Sequence, residues 1–158
     1  MAKKIIIALV IVLILIQFIH PAKNANTDVS PQDITRVYAV PDSVHRILQR
    51  SCYDCHSNST TYPWYNNFQP VSWWLAYHVS KGKKHLNFSE FGTYPKKKQL
   101  KKMAQIAKSV TEGWMPLNSY LWIHKNAVLT ENEKQLIANW ANDVEKQISA
   151  QPDSLMSK

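Results

Sequence analysis

The hydrophobic pattern opens on an apolar run from Ile5 to Ile19, interrupted only by Gln17, with Lys3 and Lys4 before it and His20-Pro21 closing it. It has no amphipathic face, so it reads as a targeting or anchoring helix over residues 1–21 rather than a core helix. Its fifteen residues at 1.5 Å rise reach about 22 Å, short of the ~30 Å hydrocarbon core, which places it between a signal peptide and a spanning helix. A cut after Ala22 would leave His20, and a cut after Ala25 would leave Lys23, where signal peptidase prefers a small residue. The segment is therefore expected to be an uncleaved signal anchor, with a cleaved signal peptide as the alternative. Either way the rest of the chain is expected to be exported, with Lys3 and Lys4 on the cytoplasmic side.

Residues 22–40 are polar apart from Val37-Tyr38-Ala39-Val40 and read as a tether. Asp42 and Ser43 offer an N-cap to a helix through Arg50, with Val44, Ile47, Leu48 and Ser51 at helical spacing. After a structured loop from Ser57 to Pro70, a helix is expected over Val71–Ser80 with Gly82 as its stop. Lys97–Thr111 carries a stripe of Leu100, Met103, Ile106, Ala107 and Val110, with lysines opposite and Gly113 as a left-handed cap. A short apolar turn spans Asn118–His124. Thr130 and Glu133 form a capping box for a last helix whose stripe is Leu136, Ile137, Trp140, Ala141 and Val144. Its natural partner is the helix before Cys52, since both would otherwise leave apolar faces in water. No repeat and no strand pattern is visible, so the expectation is an all-α domain over residues 41–148, followed by a loose tail over 149–158.

The candidate chemistry sits between the first two soluble helices, at Cys52-Tyr53-Asp54-Cys55-His56. Cys-x-x-Cys-His is the attachment pattern of a c-type haem. Two thiols at this spacing can add to the two vinyl groups of one porphyrin edge, and the following imidazole lies beneath the iron. Cys52 and Cys55 are the candidate covalent tethers and His56 the candidate proximal iron ligand, with Tyr53 and Asp54 as spacers. The chain's two cysteines are both in this motif. A dithiol or disulfide centre would call for a thioredoxin-like βαβ pattern, and a zinc site for a second ligand pair; neither context is present.

A distal ligand is also encoded. In Trp114-Met115-Pro116 the proline disfavours helical geometry at Met115, so its thioether can point away from local packing. Met103, in a helical stripe, reads as core. His78 and His124 are the alternative ligands or pocket bases, whereas His85 lies in a basic loop and is worse placed.

At 158 residues the chain holds one domain plus appendages. The six tryptophans lie beyond residue 60 and, with seven tyrosines, either wrap a large apolar cofactor or fill a small helical core. The net charge is +8, and Lys81, Lys83, Lys84, Lys96, Lys97, Lys98, Lys101, Lys102 and Lys108 face a single acid, Glu90. Such a face would steer toward an acidic redox partner or an anionic membrane, or is simply solvated. No nucleic-acid-binding module accompanies it.

Taken together, Cys52–Asn58, Val71-Ser72-Trp73-Trp74, Leu86-Asn87-Phe88-Ser89, Met115-Pro116 and Leu129-Thr130 leading to Trp140 resemble the haem-binding domain family of small exported bacterial proteins. The resemblance implies one covalently bound haem c in a cytochrome-c-like helical fold, with His56 proximal and Met115 distal; the N-terminal segment is expected to keep the domain on the periplasmic side of the inner membrane, or to release it there if cleaved. With His56 and Met115 both on the iron no coordination position is open, so the expected role is electron carrier rather than enzyme, with a docked protein as redox partner. A peroxidase-like enzyme or a gas or redox sensor is the alternative, requiring an open sixth position and a distal group such as His78 or His124. The sequence departs from ordinary small cytochromes c in having glycine only at 82, 92 and 113, and a long insert between His56 and Met115.

Overall fold

The computed structural model describes residues 1–152. Within them the chain is helical, without a strand; one antiparallel bridge joins Ala25 to Ser59. The first helix, α1 (Ala2–Ile16), buries no residue. Among the described residues no helix is long and apolar enough to cross a membrane.

Residues 22–40 differ from the expected tether, because they lie against the domain. Asn24 donates to the Ser57 carbonyl and to Thr60 Oγ1, both at 2.9 Å. A single turn, α2 (Ile34–Val37), is capped by Asp33, whose carboxylate accepts from the Thr35 amide. Ile34 and Tyr38 stand four residues apart, so they share a face, and both are buried. The Tyr38 hydroxyl donates to Gln99 Oε1 at 2.6 Å. The apolar cluster noted at Val37–Val40 is thus the visible edge of a packed segment.

α3 (Asp42–Ser51) begins one residue earlier than its cap signal implied. Pro41 is the N-cap, and no side chain caps the helix. Asp42 falls in the first turn instead, where its charge complements the helix dipole. Val44, Ile47, Leu48 and Ser51 are buried, as the spacing requires. One turn, α4 (Tyr53–His56), follows, and the loop after it contains a 3-10 turn at Trp64–Asn67.

α5 (Val71–His85) runs five residues beyond the expected end. Gly82 is inside it and does not stop it. A Cβ at this position would overlap the Cys55 carbonyl oxygen, so the glycine serves close approach between α5 and α4 rather than termination. A 3-10 segment, Phe88–Thr93, buries Phe88 and Phe91. α6 (Lys96–Thr111) then ends at Gly113, whose φ of +74° is the left-handed geometry expected of it.

After α7 (Asn118–Leu121) and a 3-10 turn at Lys125–Ala127, α8 (Glu131–Ala150) closes the fold. Its capping box is formed: the Thr130 side chain accepts from the Glu133 amide and the Glu133 carboxylate accepts from the Thr130 amide. The main partner of α8 is α6, with α3 a lesser one, which corrects the expected α3–α8 pairing. The reason is length, since α6 offers four turns of stripe and α3 fewer than three. Met103, Ile106 and Val110 from α6 meet Ile137, Ala141, Val144 and Ile148 from α8 in one core with Leu48 of α3. The α3–α8 contact carries the Arg50–Glu133 ion pair at 2.8 Å. The expected loose tail begins later than residue 149, because α8 continues to Ala150, and its part from 153 lies outside the described residues.

Candidate functional site

α3 delivers the motif. The Cys52 amide donates to the Leu48 carbonyl at 2.8 Å, finishing the helix, and the chain swings out at φ −130°, ψ −40°. The Cys55 and His56 amides then both donate to the Cys52 carbonyl, at 3.2 and 3.0 Å, which winds the motif into α4. Cys52, Cys55, His56 and Met115 line one cleft, together with His78, His85 and Tyr120. An adjoining apolar cleft shares Cys55, His78, Leu117 and Tyr120 and adds Trp74, Ile123 and His124. Residues from α4, α5 and the segment after α6 are thus brought together across more than sixty positions of sequence.

His56 is prepared as a ligand by its surroundings. Nδ1 lies 2.9 Å from the Leu86 carbonyl oxygen. A carbonyl can only accept, so Nδ1 carries the proton and Nε2 of the neutral ring keeps its lone pair. Burial lowers the pKa, against the opposing pull of the Leu86 and Gly82 carbonyls, and so favours the neutral ring. Phe88 packs against it with ring centroids 6.5 Å apart.

Both thiols are free. Burial, reinforced by the charge of Cys55, pushes the Cys52 thiol up to about 12 against the lowering influence of Arg50. Burial and then Asp54 push Cys55 up to about 11. These are poor conditions for a thiolate redox centre, which needs a lowered pKa. Nor is there a second half to a zinc site: among the described residues no group of three or more His, Cys, Asp and Glu could hold a metal ion. Two protonated thiols, an imidazole with Nε2 available and a thioether, set in a largely apolar cleft, are instead a donor set that could hold a haem.

The two alternative histidines are engaged differently. His78 lies 4.3 Å from the Trp74 ring centre and borders both clefts. His124 stacks on Tyr120 at 4.1 Å and 9°, and its Nε2 is 2.8 Å from the Tyr65 hydroxyl.

Several contributors were not apparent from sequence. Asp54, expected as a spacer, accepts from the Tyr120 hydroxyl at 2.7 Å and from the Thr61 amide at 3.0 Å, tying α4 to α7 and to its own loop. His85, set aside as a loop residue, lies at the end of α5 and borders the cleft. Lys102, expected on the solvated side of α6, is buried and donates to Gln105 Oε1 at 3.0 Å, beside a smaller cavity that also touches His56 and Met115. Its burial, then Lys101 and Lys98, lower its pKa. The available signal was its position next to Met103 and four residues before Ile106, at the margin of the stripe.

Searches of curated proteins and of solved structures return no match. A family model described as a haem-binding domain does match, over residues 11–143. That span takes in the motif, both clefts and most of α8, and the chain therefore belongs to the haem-binding domain family.

Proposed function

We propose that this haem-binding domain carries one haem c, joined through Cys52 and Cys55 and ligated by His56 and Met115, and that it acts as an electron carrier in a cytochrome-c-like fold. The observation that supports this most is the convergence of these four side chains on one cleft. Bound haem supplies reversible one-electron chemistry at its iron. The chain's own part is to hold Nε2 of His56 unprotonated through the Leu86 hydrogen bond, to exclude water with the apolar lining, and to leave no coordination position for substrate. In this reading the protein is not an enzyme. Lys81 at the cleft and the exposed Lys97, Lys98, Lys101 and Lys108 of α6 would steer an acidic redox partner toward it. The apolar α1, behind Lys3 and Lys4, would hold the domain on the periplasmic side of the inner membrane.

His78 in the same cleft supports a second reading, in which the sixth position opens and the protein acts as a peroxidase-like enzyme or sensor. Absorption spectra of the holoprotein separate the two. A low-spin ferric spectrum with a sulfur-to-iron band, lost in Met115→Ala, and no response to carbon monoxide is expected. A high-spin ferric form that binds carbon monoxide rapidly would move the assignment to catalysis or sensing.

A further inference from the structure

The base of α1 is fastened to the folded domain. Gln17 accepts from the Gln69 amide at 2.9 Å and donates to the Gln69 carbonyl at 3.3 Å. Two residues on, the Ile19 carbonyl accepts from Gln69 Nε2 at 2.7 Å and from the Trp73 indole at 2.9 Å. Around this junction the domain exposes large apolar side chains. Trp64 is 75% exposed, Phe68 55% and Trp73 37%, and Trp64 packs edge-on against Phe68 at 6.1 Å. Charged residues are missing from the whole stretch from Thr61 to Ser80.

We propose that Trp64, Phe68 and Trp73 form an interfacial collar that seats the domain directly on a phospholipid bilayer at the root of α1. Two independent observations converge on a bilayer as the occupant. An indole with one polar edge and a broad apolar body is suited to the headgroup boundary, and here Trp73 is bonded to Ile19 just beyond a helix that buries no residue, with Trp64 adjoining through Phe68. The second is length. α1 has fifteen residues, about 22 Å at 1.5 Å per residue against a ~30 Å hydrocarbon core. A short apolar helix draws its flanking residues into the interface, and Gln17 and Ile19 leave no slack between helix and domain. The collar supplies the apolar surface that the helix lacks. The domain is thereby held at fixed height and tilt, so the clefts bordered by Trp74, the neighbour of Trp73, keep a constant orientation to the membrane.

This inference rests on the anchoring role proposed for α1, and the test separates the two. The full-length holoprotein, labelled with 5-fluorotryptophan, is reconstituted into phosphatidylcholine–phosphatidylglycerol vesicles in the ferrous state. Its fluorine resonances are assigned with Trp64→Phe and Trp73→Phe. Lipid carrying a nitroxide near the headgroup is expected to broaden the Trp64 and Trp73 resonances beyond detection while sparing buried Trp140. If the protein stays with the vesicles through an alkaline wash but both resonances remain sharp, the collar is overturned and the anchor stands. If the protein washes off, anchor and collar fall together.

Discussion

Gly82 of α5 sits so close to the motif that a Cβ there would overlap the Cys55 carbonyl oxygen and lie 3.0 Å from Cys55 Cβ. The face of α5 is thus pressed onto the turn that carries both candidate tethers. In an unconstrained helix, Gly→Ala is worth about 1 kcal/mol of added stability. Here overpacking, typically about 1–3 kcal/mol, opposes it, because the obstructing atoms are backbone and cannot rotate away. Gly82→Ala is expected to lower the stability measured in urea by a net of up to ~2 kcal/mol and to reduce haem per chain. Gly113→Ala is the contrast. Nothing lies within 4 Å of a Cβ there, but φ is +74°, so a loss of about 1 kcal/mol from backbone strain alone, with haem content kept, is expected. A stabilised Gly82→Ala protein with full haem content would show that the contact yields.

The Tyr120–Asp54 hydrogen bond joins the motif to α7, and its loss should be felt in both. Tyr120→Phe removes the donor from a partly buried carboxylate, and a loss of about 1–2 kcal/mol is expected in chemical denaturation. Burial, then the Asp54 hydrogen bond and charge, hold the Tyr120 phenol well above its usual value of 10.0. A raised folded pKa means stability that is full below the unfolded value and lost as pH rises from there toward the folded one. Alkaline unfolding should therefore steepen above pH ~10, and less so in Tyr120→Phe. An unchanged alkaline profile in the variant would remove Tyr120 as a cause.

What the sequence disclosed follows from how local each signal was. The Cys52–His56 motif, the stripe of α6, the Thr130–Glu133 capping box, the buried Met103 and the left-handed Gly113 depend on residues within about a turn or two of one another. They were legible because helical geometry fixes those neighbours. Gly82 was misread as a stop because glycine signals both chain termination and close approach, and only the position of Cys55, twenty-seven residues earlier, decides between them. Asp54 looked like a spacer because its partner Tyr120 is sixty-six residues away. The α6–α8 pairing was missed because an apolar stripe states that a partner is needed and not which one. Ile34 was overlooked, and Tyr38 read only as part of an apolar cluster within a tether, because a single buried turn is too short to show a period.

Glu133 serves two structures at once, the N-terminus of α8 and the ion pair with Arg50 that braces the end of α3 next to Cys52. Its carboxyl is held below its ordinary value, chiefly by the Thr130 amide and also by Arg50 and the Thr130 hydroxyl, against desolvation that acts the other way. A lowered folded pKa gives stability present above the unfolded value of 4.5 and lost as pH falls through the folded one. Glu133→Gln is expected to cost about 1 kcal/mol at neutral pH and to flatten the stability curve below pH ~4.5. A double-mutant cycle with Arg50→Met should give a coupling below about 1 kcal/mol, since both partners remain partly exposed. An acid limb that is the same in wild type and Glu133→Gln would assign acid sensitivity to other carboxylates.

Tyr53 makes the opposite case to Tyr120 within the same motif. Its ring packs on Phe88 at 5.4 Å and edge-on to His45 at 5.9 Å, so the aromatic body is well used. Its hydroxyl is buried and has no hydrogen-bond partner among the described residues. Burial, with Asp33 and Cys52 adding to it, raises its pKa, so the group remains a neutral phenol to high pH. A buried donor without a partner costs about 1–3 kcal/mol in desolvation, and removing it while keeping the ring gives part of that back. Tyr53→Phe is therefore expected to raise stability by roughly 0.5–1 kcal/mol, leaving haem content and spectrum as they are. The same deletion of one oxygen is thus expected to stabilise at position 53 and destabilise at position 120, with urea midpoints of the two variants on opposite sides of wild type. A destabilised Tyr53→Phe protein would show that the hydroxyl finds a partner in solution, and the polar cleft bordered by Asp33, His45 and Asn58 would be the place to look for it.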